Sequence, residues 1–112
     1  MIAIIDYGAG NLQSVKNALD FIRVKSKITT KPEDIDKANK IILPGVGSFG
    51  DIINYLEKNK LTDVIKKNIL NGKPYLGICL GLQILFEKSE ENKEVKGLGI
   101  FKGNVVKFRS KK

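Results

Sequence analysis

Gly77-Ile78-Cys79-Leu80-Gly81 decides the fold, because this segment joins two different hydrophobic patterns. Residues 75–78 form a short apolar run that is typical of a buried strand. Leu82, Leu85 and Phe86 then recur at the spacing of a helix. A strand that passes directly into a helix at a cysteine, with glycine two places away on each side, predicts a nucleophile elbow.

The chemistry of such an elbow explains the residue types around Cys79. The nucleophile at the tip of a tight turn adopts a strained backbone, and small neighbours let strand and helix approach each other. The helix N-terminus favours the thiolate, and the N–H of Leu80 is available to stabilise an oxyanion. Cys79 is the single cysteine, so the chain forms no internal disulfide. The alternative is a buried cysteine with a purely structural role in a glycine-rich turn. The five-residue motif by itself does not distinguish the two.

The rest of the chain alternates short apolar runs with amphipathic stretches. Runs at residues 2–5, 27–29, 41–43 and 75–78 predict strands, and the stretches after Leu12, at 51–58 and at 62–70 predict helices. Asn11 is a plausible N-cap for the first helix, and residues 98–101 and 105–108 are predicted to be two short strands. This order indicates an α/β fold with a mostly parallel open sheet and helices on both faces, ending after about five or six strands.

A second glycine-rich segment, Pro44-Gly45-Val46-Gly47-Ser48-Phe49-Gly50, follows the third predicted strand. It is predicted to be a loop, because three glycines and a proline disfavour regular structure. Carboxyl ends of neighbouring parallel strands share one crevice, so this loop should face the cysteine elbow. Peptide N–H groups at Val46 and Gly47 could complete an oxyanion hole with Leu80. A phosphate-binding loop is the alternative, although no Walker lysine with its Ser/Thr follows.

Composition narrows the classes of function. The formal charge is +8, but five cations and no acid lie in residues 102–112, so the basic excess is largely a tail and not a nucleic-acid surface. The longest apolar runs are far below the ~20 residues of a membrane span. The short apolar start at residues 2–5 has no basic segment before it, which predicts no signal peptide and a cytoplasmic protein.

Three motifs together carry a resemblance to a known family. They are Asp6-Tyr7-Gly8-Ala9-Gly10-Asn11, Leu43-Pro44-Gly45-Val46-Gly47 and Gly77-Ile78-Cys79-Leu80-Gly81-Leu82-Gln83. In this order they resemble the class I glutamine amidotransferases, and most closely the glutaminase subunits of imidazole glycerol phosphate synthase. The likeness runs from Met1 to about Phe108 and implies a flavodoxin-like sheet.

The resemblance implies a glutamine hydrolase that docks on a (βα)₈ barrel cyclase subunit and supplies it with ammonia, without a metal or cofactor. It implies that Cys79 is the nucleophile and that Leu80, Val46 and Gly47 form the oxyanion site. It also implies that Gly45, Gln83 and Glu91 bind glutamine and, with less support, that Asn11 and Gly10 lie at the partner interface. From the residues alone, Glu91 would be one solvated carboxylate in a charged run, and Gln83 a helix-surface amide.

One departure from the family pattern is the absence of histidine from all 112 residues. The family places a histidine, and a glutamate two residues later, in a segment beyond the one matched here. Residues 1–112 are therefore expected to be a single partial amidotransferase domain with negligible glutaminase activity alone and an open sheet edge. The alternatives are a non-catalytic docking piece, half of a split enzyme, or another cysteine protein on a similar sheet.

Overall fold

A central sheet of four parallel strands organises the computed structural model, which describes residues 1–8 and 12–107. The strands are β1 (Ile2–Ile5), β2 (Ser26–Thr29), β3 (Lys40–Gly45) and β4 (Tyr75–Cys79), in the order β2-β1-β3-β4. The four predicted strand positions and the parallel arrangement are therefore confirmed.

Helices cover both faces of this sheet. They are α1 (Leu12–Phe21), α2 (Pro32–Lys37), α3 (Phe49–Lys58) and α4 (Thr62–Leu70). The chain moves from β1 to β2 in one direction and from β2 towards β4 in the other. Right-handed crossovers then place α1 on one face and α2, α3 and α4 on the opposite face.

The main core lies between the sheet and the face that carries α3 and α4. Strand side chains on this face and the helix side chains that cover them are almost fully buried. The strand residues include Ala3, Ile5, Ile41 and Leu43, and the helix residues include Phe49, Ile53, Leu56 and Ile65. Strand β1 is buried nearly throughout, as its non-alternating apolar sequence predicts. The buried strands fix the positions of the loops at their carboxyl ends.

The chain after β4 differs from the predicted helix and strands. Helix α5 (Leu80–Gln83) has only four residues, and residues 98–101 form no strand. Both differences have one cause. The carbonyls of Ile84, Leu85 and Phe86, which a longer helix would use internally, accept hydrogen bonds from the N–H groups of Leu98, Phe101 and Gly99. Residues 98–101 thus satisfy the end of α5 instead of joining a sheet.

Two further short strands form a separate parallel pair. They are β5 (Lys88–Ser89) and β6 (Asn104–Val105), and a 3₁₀ turn (Glu90–Asn92) follows β5. The strand predicted at 105–108 therefore begins at Asn104 and ends at Val105; Phe108 lies outside the described residues. The described residues thus form six strands, of which β5 was not predicted and only four belong to the main sheet.

The glycine-rich loop is shorter than predicted. Pro44 and Gly45 belong to β3, where they pair with Ile78 and Cys79 of β4. The β1–β3 pairing ends at Ile42, so Pro44 lies where β3 is paired on one side only, which a proline tolerates. At the other end, α3 begins at Phe49 because Ser48 caps it, accepting a hydrogen bond from the N–H of Asp51. Only residues 46–48 remain as loop.

Within the described part of the chain, β2 and β4 are the two edge strands of the sheet. Strand β4 pairs with β3 alone there, and its Leu76 and Ile78 side chains are 54% and 40% exposed. This arrangement agrees with the open edge expected from the sequence. No helix in residues 1–8 and 12–107 is long and apolar enough to cross a membrane.

Candidate active site

Cys79 lies at the tip of a sharp turn between β4 and α5. Its backbone has φ 55° and ψ −116°, in a region that costs a non-glycine residue free energy. The thiol is free and exposed. Strain at an exposed nucleophile between strand and helix is the geometry that the elbow motif predicts.

The two glycines of the motif allow a close backbone approach. A Cβ atom at Gly77 would lie 2.4 Å from the carbonyl oxygen of Gly81, and one at Gly81 would lie 1.8 Å from the carbonyl oxygen of Leu43. Neither contact is possible for a side chain, so the turn requires glycine at both positions. Helix α5 is a single turn, so its peptide dipoles add over a shorter length than the sequence suggested.

The glycine-rich loop lies beside the elbow. Gly45, the last residue of β3, pairs directly with Cys79, and a Cβ atom on Gly45 would lie 2.6 Å from both Leu80 Cβ and the Gly81 nitrogen. Gly47 has φ 101° and open space where a Cβ would be. The cysteine elbow and the glycine-rich loop therefore lie at the same end of the sheet, where the parallel strands have their carboxyl ends, as the sequence predicts.

The N–H of Val46 is already engaged. It donates a 2.7 Å hydrogen bond to the hydroxyl oxygen of Tyr7, whose side chain is only 5% exposed. The sequence analysis named Tyr7 only as part of the motif at residues 6–11. In this arrangement Val46 does not present its N–H to Cys79.

Gln83 and Glu91 line one cavity of about 410 Å³, together with Ser89 and Lys93. Cys79 is not among the described residues that line it. Glu91 also has a structural contact, because its Oε1 accepts a 2.6 Å hydrogen bond from the N–H of Phe49 at the start of α3. The sequence indicated either a solvated carboxylate or a ligand for glutamine, and it did not predict this helix cap.

Comparison with protein-family models matches residues 3–111 to the class-I glutamine amidotransferase family. The chain belongs to the class-I glutamine amidotransferase family.

Curated relatives of this amidotransferase-family chain have one name in common, imidazole glycerol phosphate synthase subunit HisH. The protein of Halalkalibacterium halodurans is 51% identical over 96% of this chain and 50% of its own length. The protein of Pyrococcus furiosus is 54% identical over 97% of this chain and 53% of its own length. The protein of Bacillus subtilis is 48% identical over 98% of this chain and 52% of its own length. The chain thus spans about half the length of the curated relatives it matches.

Solved structures show the same fold at low sequence identity. A crystal structure of a glutamine amidotransferase matches with a TM-score of 0.79 and 21% identity, covering 95% of this chain and 56% of that one. A putative peptidase E from Listeria monocytogenes matches with a TM-score of 0.65 and 17% identity, covering 77% of this chain and 49% of that one. At these identities the likeness concerns the fold alone.

The amidotransferase elbow has a support that the sequence did not reveal. The hydroxyl of Tyr75, at the start of β4, donates a hydrogen bond to the carbonyl of Gly81 just beyond the elbow. Burial raises the pKa of Tyr75, so the phenol remains neutral and keeps its proton for this bond. An aromatic residue that begins a strand gives no local signal of such a role.

Gly10 and Asn11, for which a partner contact and an N-cap were predicted, lie outside the described residues. Within residues 1–8 and 12–107, no group of three or more His, Cys, Asp or Glu side chains could hold a metal ion.

Proposed function

We propose that this chain is the nucleophile-bearing part of a glutamine amidotransferase subunit of imidazole glycerol phosphate synthase. The pairing of strained, exposed Cys79 with Gly45 at the edge of the glycine-rich loop is the observation that carries the proposal. The half-length match to HisH proteins at about 50% identity supports the choice of synthase. Residues 1–112 are then one partial domain.

The proposed reaction begins when the Cys79 thiolate attacks the side-chain carboxamide carbon of glutamine. The N–H groups of Leu80 and of Val46 or Gly47 stabilise the resulting oxyanion. Ammonia leaves, a γ-glutamyl thioester remains, and water hydrolyses it to glutamate and the free thiol. Gly45, Gln83 and Glu91 are the proposed contacts for glutamine. In support, Gly45 pairs with Cys79, and Gln83 and Glu91 line one cavity together.

The base for this reaction is not in the chain, because the sequence contains no histidine. A positioned general base contributes roughly 10²- to 10⁴-fold to a rate. The proposal therefore includes a further segment, in the same or another polypeptide, that supplies a histidine, and a (βα)₈ barrel cyclase subunit that receives the ammonia. Gly10 and Asn11 are proposed to contact that subunit. A cytoplasmic location remains a prediction from the sequence.

Affinity labelling tests the nucleophile without requiring turnover. The glutamine-like chloroketone L-2-amino-4-oxo-5-chloropentanoate should alkylate Cys79, with chloride as leaving group, and excess glutamine should slow the reaction. Intact-mass and peptide mass spectrometry give the rate and the site, with Cys79→Ser as control. Labelling that glutamine does not slow would contradict the glutamine site and favour the alternative, a non-catalytic docking piece.

A direct assay tests the missing base. The isolated chain should hydrolyse glutamine far more slowly than the roughly 1 per second of an ordinary enzyme. Glutamate release is measured with a coupled dehydrogenase, and Cys79→Ser gives the background. Turnover near the ordinary value would show that the chain contains its own base and overturn that part of the proposal.

A further inference from the structure

Tyr75 connects the two sides of the elbow. It is the first residue of β4, and its hydroxyl donates a hydrogen bond to the carbonyl of Gly81, the second residue of α5. Side chains two residues apart on a strand share one face, so Tyr75 lies on the same face as Gly77. A Cβ atom on Gly77 would lie 2.4 Å from the Gly81 oxygen, so glycine leaves room for that oxygen beside the strand. The hydrogen bond therefore ties both ends of the elbow together around Cys79.

The Gly81 carbonyl takes this hydrogen bond from Tyr75 instead of from its own helix. In a longer helix its donor would be the N–H of Leu85, four residues later. That N–H donates over 3.2 Å to the carbonyl of Leu82, because the chain tightens as α5 ends. The phenol thus supplies a donor that the short helix does not, and burial raises the pKa of Tyr75, which keeps its proton in place.

The direction of this bond matters because the backbone of Cys79 is strained. Its φ of 55° and ψ of −116° persist only where the surroundings hold them. Burial of Leu80 and Ile84 keeps α5 against the core, but apolar packing has no preferred direction. The close contact with Gly45 stops the elbow from moving towards β3. The hydrogen bond to Gly81 adds a directional constraint to these contacts.

We propose that Tyr75 is a positioning residue for the amidotransferase reaction, acting through its hydrogen bond to the Gly81 carbonyl. This bond holds the strained elbow so that the N–H of Leu80 points towards the oxyanion that forms at Cys79. The proposal rests on the function proposed above, and it assigns Tyr75 to the oxyanion site and not to glutamine binding or proton transfer. Loss of the hydroxyl should lower the reactivity of Cys79 towards carbonyl compounds more than its general reactivity as a thiolate.

Two electrophiles separate this role from a change in the thiol itself. The chloroketone named above reacts through its carbonyl group, so its rate depends on oxyanion stabilisation, whereas iodoacetamide loses iodide in a direct displacement. Tyr75→Phe keeps the ring and removes only the hydroxyl. Its chloroketone-to-iodoacetamide rate ratio should fall about tenfold below that of the wild type. One oxyanion donor contributes about 10²- to 10³-fold, and here the N–H is misaligned and not removed.

Thr29→Val is the control for lost stability. The buried hydroxyl of Thr29 donates a 2.6 Å hydrogen bond to Asp34 and accepts one from the N–H of Lys31. Strands β1 and β3 lie between it and β4. This variant should be destabilised and still keep the wild-type rate ratio. A ratio for Tyr75→Phe that equals that of the wild type overturns the proposal, and so does an equal fall in both variants.

Rescue by a different donor tests the hydrogen bond itself. 4-Aminophenylalanine at position 75 presents an N–H at the same place on the ring, so it should restore most of the rate ratio that Tyr75→Phe loses. A ratio as low as that of Tyr75→Phe would overturn the proposal.

Proton NMR of the wild type at low temperature needs no variant. The buried, bonded hydroxyl proton of Tyr75 should give a resonance of its own. A hydroxyl proton that exchanges with water too fast to be observed would overturn the proposal. If glutamine does not slow wild-type labelling, the proposed function fails instead. A lowered ratio in Tyr75→Phe would then still support the positioning role, and an unchanged one would overturn both.

Discussion

Glu91 Oε1 accepts a 2.6 Å hydrogen bond from the backbone N–H of Phe49, which links the start of α3 to a turn that lies 42 residues later. Asn92 makes the adjacent contact, with its Oδ1 accepting from the N–H of Gly50 over 2.7 Å. The first N–H groups of a helix have no partner within the helix, and a carboxylate there also interacts favourably with the helix dipole. The residue proposed to bind glutamine thus also fixes the end of the glycine-rich loop.

Replacing Glu91 should therefore reduce stability as well as glutamine binding. We expect Glu91→Ala to lower the free energy of unfolding by about 1 kcal/mol, the usual cost of a lost N-cap. Glu91→Gln should lose less, because an oxygen acceptor remains. Urea unfolding measures both. Glu94→Ala is the control, since this exposed carboxylate makes no hydrogen bond or ion pair with the described residues. Equal losses for Glu91→Ala and Glu94→Ala would contradict the cap.

Gly81→Ala should be among the most damaging single substitutions in the chain. The added methyl group would lie 1.8 Å from the carbonyl oxygen of Leu43, so the strand or the elbow must move. We expect a loss of about 3 kcal/mol, at the upper end for overpacking, or failure to fold. Circular dichroism with urea unfolding measures it.

Gly99→Ala is the control for this substitution. Gly99 has φ 64° and open space around its Cβ position, so alanine should cost only the ~1 kcal/mol of the left-handed backbone. A loss at residue 81 no larger than that at residue 99 would show that β3 and the elbow are not in close contact.

The stability of the chain should fall in alkali through Tyr75. Burial raises the pKa of this phenol in the folded state. A raised acid pKa contributes stability below the unfolded value of about 10, and this contribution is lost as the pH rises above that value. Tyr75→Phe should be less stable at neutral pH by about 1 kcal/mol, because the bond to the Gly81 carbonyl is lost. It should also decline less steeply between about pH 10 and 11.

Thermal unfolding as a function of pH measures this effect, with Tyr55→Phe as the matched control. This control removes a phenol hydroxyl that has no hydrogen-bond acceptor among the described residues. Parallel slopes for the wild type and Tyr75→Phe would contradict the buried phenol.

The open β4 edge should promote self-association. Leu76 and Ile78 are half exposed beside unpaired strand backbone, and such edges recruit other chains. Leu76→Lys should weaken association by about tenfold, or about 1.4 kcal/mol, through charge at the edge. Sedimentation equilibrium over a range of concentrations measures it. Phe21→Lys removes an 88% exposed side chain from α1, which packs at the β1–β2 side of the sheet, and should have no such effect. A wild type that stays monomeric at high concentration would contradict the prediction.

Local patterns predicted the sheet and the elbow well. Continuous apolar runs marked the four main strands, and Gly77 and Gly81 marked the close contact of strand and helix at Cys79. The secondary-structure prediction failed where hydrogen-bond partners are distant in sequence. The helix after Cys79 stops at Gln83 because later N–H groups take the carbonyls that it would need, and no helical periodicity reveals that competition.

The sequence by itself determined the α/β fold, the strand-to-helix position of Cys79 and the need for glycine at position 77, because these follow from hydrophobic periodicity and from contacts between near neighbours. Only the tertiary structure decided that the Val46 N–H is bonded to Tyr7, and that Glu91 caps α3. The physical reason is that each hydrogen bond joins groups about forty residues apart. Which polar groups meet over such separations depends on the packing of the whole sheet and its helices.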